Sequence, residues 1–305
     1  MSGAGPGSAR TAAAARLARG WWRNPWRKPR GLQLITLLYL AWSILPVLIA
    51  ILISFNAGRS NSTLQTLGLR WWLHDPEGQA LFQDPVLRRA IVQTYILAFT
   101  TMMLAVPLGV AFAIGLDRWR GRPAAGANFL MLVTFVLPEI VIGVAMLEVV
   151  QHLFSFVRLG TYAQIMALVT YQISYPVIIV RARLLSIGKE YEEAGMDLGA
   201  SPRQAVRRVL LPLLYPAILA SFAVVFADTV DDFVTVTYLS GPASSQPLST
   251  FIYTTARASA TPATNAAATL MLVTTTLAIV LGYLAYKRLS RGQPGGDMAN
   301  LSQQL

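Results

Sequence analysis

Residues Ser186–Pro212 read SIGKEYEEAGMDLGASPRQAVRRVLLP. The stretch is polar, yet it is too regular for a loop. Lys189 to Leu198 consists of good helix formers, and Gly199 breaks the run. Ser201-Pro202 then restarts a helix, with a serine N-cap and a proline at the first helical position. Arg203 to Val209 carries that helix onward into strongly apolar sequence. Two short helices meeting at a glycine are therefore expected between two apolar segments. From the residues alone they serve either as an amphipathic connector resting on lipid headgroups or as a lever presented to another protein.

The segments on either side decide the setting of this loop. Hydrophobic residues make up 54% of the 305 and charged residues only 13%, outside the range of soluble globular chains. The apolar content comes in runs of about 20 residues or more, the length of helix that crosses a hydrocarbon core. Six spans are expected, at 32–54, 90–116, 127–151, 161–185, 209–236 and 265–287. Their interiors hold Pro46, Pro107, Pro138, Pro176 and Pro216, which membrane helices tolerate when neighbours satisfy the freed carbonyls. Continuous rather than alternating apolarity excludes a β-barrel. The fold class is thus all-α and polytopic.

Charge gives the orientation. Of the 25 lysines and arginines, 19 fall in the N-terminal tail, the second and fourth connections and the C-terminal tail. Arg59, Arg70, Arg88, Arg89, Arg158 and Arg257 fall on the other side. By the positive-inside rule both termini are expected in the cytoplasm. The same distribution accounts for most of the +11 net charge, so nucleic acid is not needed as a partner. Residues 1–31 read as a basic tail ending in a Trp/Arg patch suited to a membrane interface, 32–287 as the membrane domain and 288–305 as a second tail. The apolar run after the first tail is too long for a signal peptide. There is no cysteine, and the two histidines, His74 and His152, lie far apart, so no metal site is expected.

Glu193-Ala194-Gly195, three residues, Gly199, nine residues, Val209, one residue, then Leu211-Pro212 resembles the "EAA" loop of ABC-importer permeases. That pattern runs E-A-A, three residues, G, nine residues, I, one residue, L-P. The spacing matches throughout, with Gly195 in place of the second alanine and Val209 in place of isoleucine. The resemblance implies a type I importer permease fold in which this loop is a coupling helix docked in a groove of a cytoplasmic ATPase. Glu192, Glu193, Ala194, Gly195, Asp197, Gly199, Ala200, Arg203, Leu211 and Pro212 would carry that coupling. SFN at 54–56, LRWW at 69–72, LPEIVIG at 137–143 and DDFVTVTYLSGP at 231–242 look like the second permease of spermidine/putrescine importers. Relatives that import other cations, iron(III) or opines share much of the pattern. The implied partners are a homologous permease, two copies of the ATPase, an extracytoplasmic binding protein and the lipid bilayer. No Walker-type phosphate loop occurs in the chain, so it is not expected to be an enzyme, and ATP and Mg would belong to the partner ATPase.

Five of the 14 acidic residues fall inside expected spans: Glu139, Glu148, Asp228, Asp231 and Asp232. A carboxylate at mid-bilayer costs ~2.5–3.5 kcal/mol on insertion scales and so tends to face a polar interior. On one continuous helix the three aspartates fall within an arc of about 100°. They bond to Thr229, Thr235 or a neighbouring helix, or lie at the outer interface where water reaches them, or else line a path for a cationic substrate. In the last case Glu139 adds a further negative step, and Tyr171, Tyr175 and Tyr238 flank the cation through cation–π contacts. Two rival classes use the same aspartates differently: an intramembrane enzyme would use them as metal or diphosphate ligands, and an ion-coupled carrier as proton sites.

Overall fold

The computed structural model describes residues 30–60, 63–118, 121–259 and 261–290. Most of both expected tails, residues 1–29 and 291–305, lies outside the described residues. The chain divides into two compact units, residues 1–50 and 51–305. Helix α1 (Arg30–Ser54) runs through apolar sequence past Pro46, and its last residues, 51–54, belong to the second unit.

Among the described residues the second unit holds every other helix. Short α2 (Arg70–Leu73) precedes the long α3 (Pro85–Arg118). Then come α4 (Arg122–Val136), α5 (Glu139–Glu148), α6 (Thr161–Gln172) and α7 (Ser174–Ile187). The polar loop forms α8 (Glu190–Asp197) and α9 (Pro202–Ala205), which leads through one π-helical turn into α10 (Leu211–Asp231). Helices α11 (Val234–Tyr238), α12 (Leu248–Ser259) and α13 (Pro262–Ser290) complete it. Among the described residues β-structure is confined to one isolated bridge, Asn56 to Leu67.

Among the described residues, five helical segments can cross a bilayer by length and composition: Gly31–Ser54, Pro85–Arg118, Thr161–Ile187, Pro202–Asp231 and Pro262–Leu289. A sixth is bent. Ala124–Val136 and Glu139–Leu153 meet at 109°, so the expected straight span over 127–151 is broken. The cause is local: Leu137 and Pro138 both adopt extended backbone, with ψ of 136° and 135°. Proline crowds the residue before it out of the helical region and has no N–H to continue the ladder.

The core is made where α3, α7 and α10 pack together. Ala105, Gly109 and Ala113 recur every four residues along α3, and this small-residue stripe lets backbones approach closely. At Gly109 an added Cβ would fall 2.4 Å from Pro176 Cγ on α7 and 3.0 Å from the Ile173 carbonyl. Val106, Val177, Val180, Leu214 and Val225 fill the space around the stripe. Gly282 of α13 is likewise seated against Ala223 of α10, where a Cβ would come within 2.5 Å. Towards one end a buried amide network fastens the connections to the bundle. Gln93 donates to Gln164 Oε1 and Thr161 Oγ1, both at 3.0 Å, and Gln164 donates to the carbonyls of Val236 and Ser245.

Candidate functional site

The expected single span over 209–236 also breaks. Helix α10 ends at Asp231, Asp232 turns to extended backbone (ψ 121°), and α11 starts afresh at Val234. The three aspartates therefore do not share one helical face. Asp232 is buried and serves the backbone around it. Its Oδ1 accepts from the Val236 N–H at 3.2 Å, and its carbonyl accepts from Ser249 Oγ at 2.7 Å. It caps the start of α11. Asp231 is exposed towards a cavity of about 760 Å³ between α10, α12 and α13. Asp228 lines the same cavity and is half-buried.

Asp228 is also one end of a polar seam. Its Oδ2 accepts from Gln172 Nε2 at 2.6 Å and its Oδ1 from the Tyr175 hydroxyl at 3.2 Å. The hydroxyls of Tyr175 and Tyr171 lie 3.2 Å apart, and Tyr171 donates to Glu139 Oε1 at 3.4 Å. The two tyrosine rings meet edge to face, and Phe135 packs edge-on against Tyr175. The seam thus runs from the first turn of α5, just beyond the Pro138 break, across the α6–α7 junction to the last turn of α10. Four residues singled out in the sequence, Glu139, Tyr171, Tyr175 and Asp228, come together. Tyr238 does not join them: it packs against Gly143 of α5, where a Cβ would come 3.0 Å from its ring. Glu148 lies elsewhere, 3.0 Å from His152 on an exposed surface. Gln172 is the member that the search for charge missed. A glutamine four residues before a proline, inside an apolar run, is the signal that was available.

Such a seam concentrates negative charge and aromatic faces at two adjoining helix interruptions, as polar sites in transport proteins commonly do. Its oxygens accept hydrogen bonds from N–H groups, and the tyrosine rings suit cations. Among the described residues no three His, Cys, Asp or Glu side chains converge on a metal-like centre.

The loop at the opposite end of α10 takes the form read from its sequence. Gly199 adopts φ +91°, and Ser201 and Gln204 form a reciprocal capping box. Glu193, Ala194, Asp197, Gly199 and Arg203 are exposed, while Glu192 pairs with Arg118 at the end of α3. Gly195 faces Val209, whose Cγ2 would lie 3.3 Å from a Cβ there, so the two departures from the importer pattern touch each other. Ala200, Leu211 and Pro212 are partly buried where the loop joins the bundle. The π-turn over Val206–Leu210 sits just before Pro212, which has no N–H to offer the preceding turn.

A polytopic helical bundle, with carboxylates at broken spans and an exposed capped loop at one end, defines a membrane transport subunit. The chain belongs to the family of binding-protein-dependent transport system inner membrane components, whose model matches residues 88–293. It is accordingly a multi-pass inner-membrane transport component of an ABC importer rather than an enzyme. The spermidine/putrescine transport system permease protein PotC of Haemophilus influenzae is 28% identical over 248 residues, covering 81% of this chain and 93% of its own length. The putrescine transport system permease protein PotI of Escherichia coli is 27% identical over 278 residues, 89% of this chain and 93% of its own. One chain of a bacterial ABC transporter involved in the import of the acidic polysaccharide alginate matches with a TM-score of 0.69 at 15% identity, over 91% of this chain and 99% of its own. One chain of the inward-facing MetNI methionine ABC transporter matches at 0.56 and 19% identity, over 67% and 96%.

Proposed function

We propose that this chain is a permease subunit of an ATP-driven importer of polyamines such as spermidine and putrescine. The observation that carries the reading is the seam from Glu139 through Tyr171 and Tyr175 to Asp228, continued by Asp231 into the adjoining cavity. Three carboxylates and two aromatic faces at broken helices suit a flexible chain of ammonium groups and methylenes. The similarity to PotC and PotI supports the same class of cargo. In this reading the chain forms half of the path beside a homologous permease, with both termini cytoplasmic. Two copies of an ATPase supply ATP and Mg chemistry and press on the Glu190–Ala205 loop, and an extracytoplasmic binding protein delivers the substrate.

The test is ATPase activity of the complex reconstituted with its binding protein and titrated with spermidine, putrescine, iron(III) and opines. Stimulation by the polyamines is the expected outcome. Stimulation by iron(III) or an opine alone would reassign the cargo. Uptake that collapses with an uncoupler and ignores an ATPase knockout would instead make the chain an ion-coupled carrier.

A further inference from the structure

Gln172 ends α6 fully buried, at 0% exposure. Its Nε2 holds Asp228 Oδ2, but Oε1 of the same amide has no hydrogen-bond partner among the described residues. Buried amide oxygens are nearly always paired, so an orphan beside a carboxylate calls for an explanation. Turning the amide over does not supply one, because Oε1 would then face the Asp228 carboxylate, acceptor against acceptor. What the locality lacks is a donor. Around it stand three kinds of acceptor: the Asp228 carboxylate, Gln172 Oε1 and the Tyr175 oxygen. A primary ammonium brings three N–H donors and no acceptor.

We propose that Gln172 selects the head group of the cargo, a reading that rests on the polyamine function above. Asp228, which lines the 760 Å³ cavity, holds the charge of an ammonium that enters there, and the enclosed Gln172 side chain turns towards it so that Oε1 accepts one of its N–H groups. Coulomb attraction to Asp228 is felt by an ammonium with N–H groups and by a quaternary one, weaker for the bulkier quaternary head, and does not separate them sharply by itself. The amide oxygen does, since a trimethylammonium offers it only methyl groups and leaves it unpaired. A site built to receive a hydrogen bond rejects an analogue that lacks the donor far more strongly than an apolar pocket rejects a change of size. The path therefore favours primary and secondary ammonium groups over quaternary ones.

The experiment uses the assembled importer in nanodiscs with the binding protein omitted, so that its selectivity does not filter the ligands. Binding of 1,4-diaminobutane and of its bis-trimethylammonium analogue is followed by saturation-transfer NMR at millimolar concentrations, because a conduit holds its cargo weakly. The wild type is expected to bind the diamine roughly 10- to 100-fold more tightly, the worth of one hydrogen bond to a charged donor. Gln172→Met keeps chain length and removes both amide functions. It should weaken diamine binding about 10-fold or more and leave the quaternary ligand within about 2-fold, closing the gap. Equal affinities in the wild type, or equal losses of both ligands in Gln172→Met, would overturn the proposal; the second pattern is that of a residue which only positions Asp228. Equal affinities in the wild type overturn the proposal even if the variant fails to assemble. A wild type that binds neither amine while ATPase responds to iron(III) or an opine overturns the polyamine reading, and this proposal with it. Diamine binding without discrimination overturns this proposal alone.

Discussion

Asp228→Asn separates charge from shape at the seam. An asparagine with its Oδ1 turned to Gln172 keeps the 2.6 Å bond. Its Nδ2 then faces the Tyr175 oxygen, which accepts and passes its own proton to Tyr171, while Tyr171 still donates to Glu139. Every contact survives with one hydroxyl reversed, so the cost to the fold should stay under about 1 kcal/mol. The charge is a different matter. One unit charge 4 Å from an ammonium is worth about 4 kcal/mol at an effective dielectric near 20. Asp231 and Glu139 maintain part of the field, so we take roughly half of that as lost, about 2 kcal/mol or ~30-fold in transport efficiency. The assay is polyamine uptake by proteoliposomes containing the whole importer, with Asp232→Asn measured beside it. That second variant keeps an Oδ1 to cap Val236 and should transport within about 2-fold of wild type, since asparagine caps as well as aspartate. Basal ATPase and complex yield should be unchanged in both. Equal losses at 228 and 232 accompanied by poor assembly would refute the distinction drawn between them, and undiminished transport in Asp228→Asn would refute the path.

Gly109→Ala forces a methyl onto the Pro176 ring and the Ile173 carbonyl, neither of which can step aside. Prising α3 from α7 should cost about 1–3 kcal/mol, visible as a lower Tm of the purified complex. Glu193→Lys, on an exposed turn, should leave the fold intact and abolish substrate-stimulated ATPase, whereas Gly195→Ala should be tolerated because only a Val209 methyl must give way. Normal stimulation in the lysine variant would remove the loop from the coupling path. Asp75 supplies a pH test in the connection between α1 and α3. Burial pushes its carboxyl up, but the Arg70 guanidinium and the Gln79 N–H outweigh this and hold it below the ordinary carboxylate range. A depressed folded value stabilises at pH above the unfolded one, near 3.9, and that stabilisation fades as pH falls through the folded one. Trp71 and Trp72 fluorescence should therefore report loosening of this connection only in acid below about pH 4, and Asp75→Asn should flatten the profile.

The long spans and the capped loop were legible because each rests on a local rule: run length, a glycine at positive φ, and a serine–proline restart. The breaks were not, since hydropathy is blind to direction. Pro138 sits in a long apolar run interrupted there by Glu139 alone, and only its restriction on Leu137 hints at the 109° turn. The Asp231–Asp232 break has neither glycine nor proline to announce it. It depends on Asp232 finding the Val236 N–H and Ser249, contacts made after the chain has folded back. For the same reason Asp228 and Tyr175 were recognised as candidates but their hydrogen bond was not, and Gln172 was missed altogether. Gln172 and Tyr175 lie 56 and 53 residues from Asp228 in sequence, and only packing of α6 and α7 on α10 brings them to it.

The capping box at Ser201 starts a helical run that continues unbroken as far as Asp231, 30 residues with the π-turn absorbed within it. At 1.5 Å per residue this is a rod of about 45 Å, with Gly199 just beyond one end and Asp228 and Asp231 at the other. Rocking such a rod by about 5° around its middle carries each end some 2 Å in opposite senses, comparable to the difference between a hydrogen bond made and one lost. A nudge at the Gly199 tip would then be felt among the carboxylates without any relay of intervening contacts. Inserting one residue in the middle of α10 would rotate the far end by about 100° and turn Asp228 away from Gln172, while leaving both ends chemically intact.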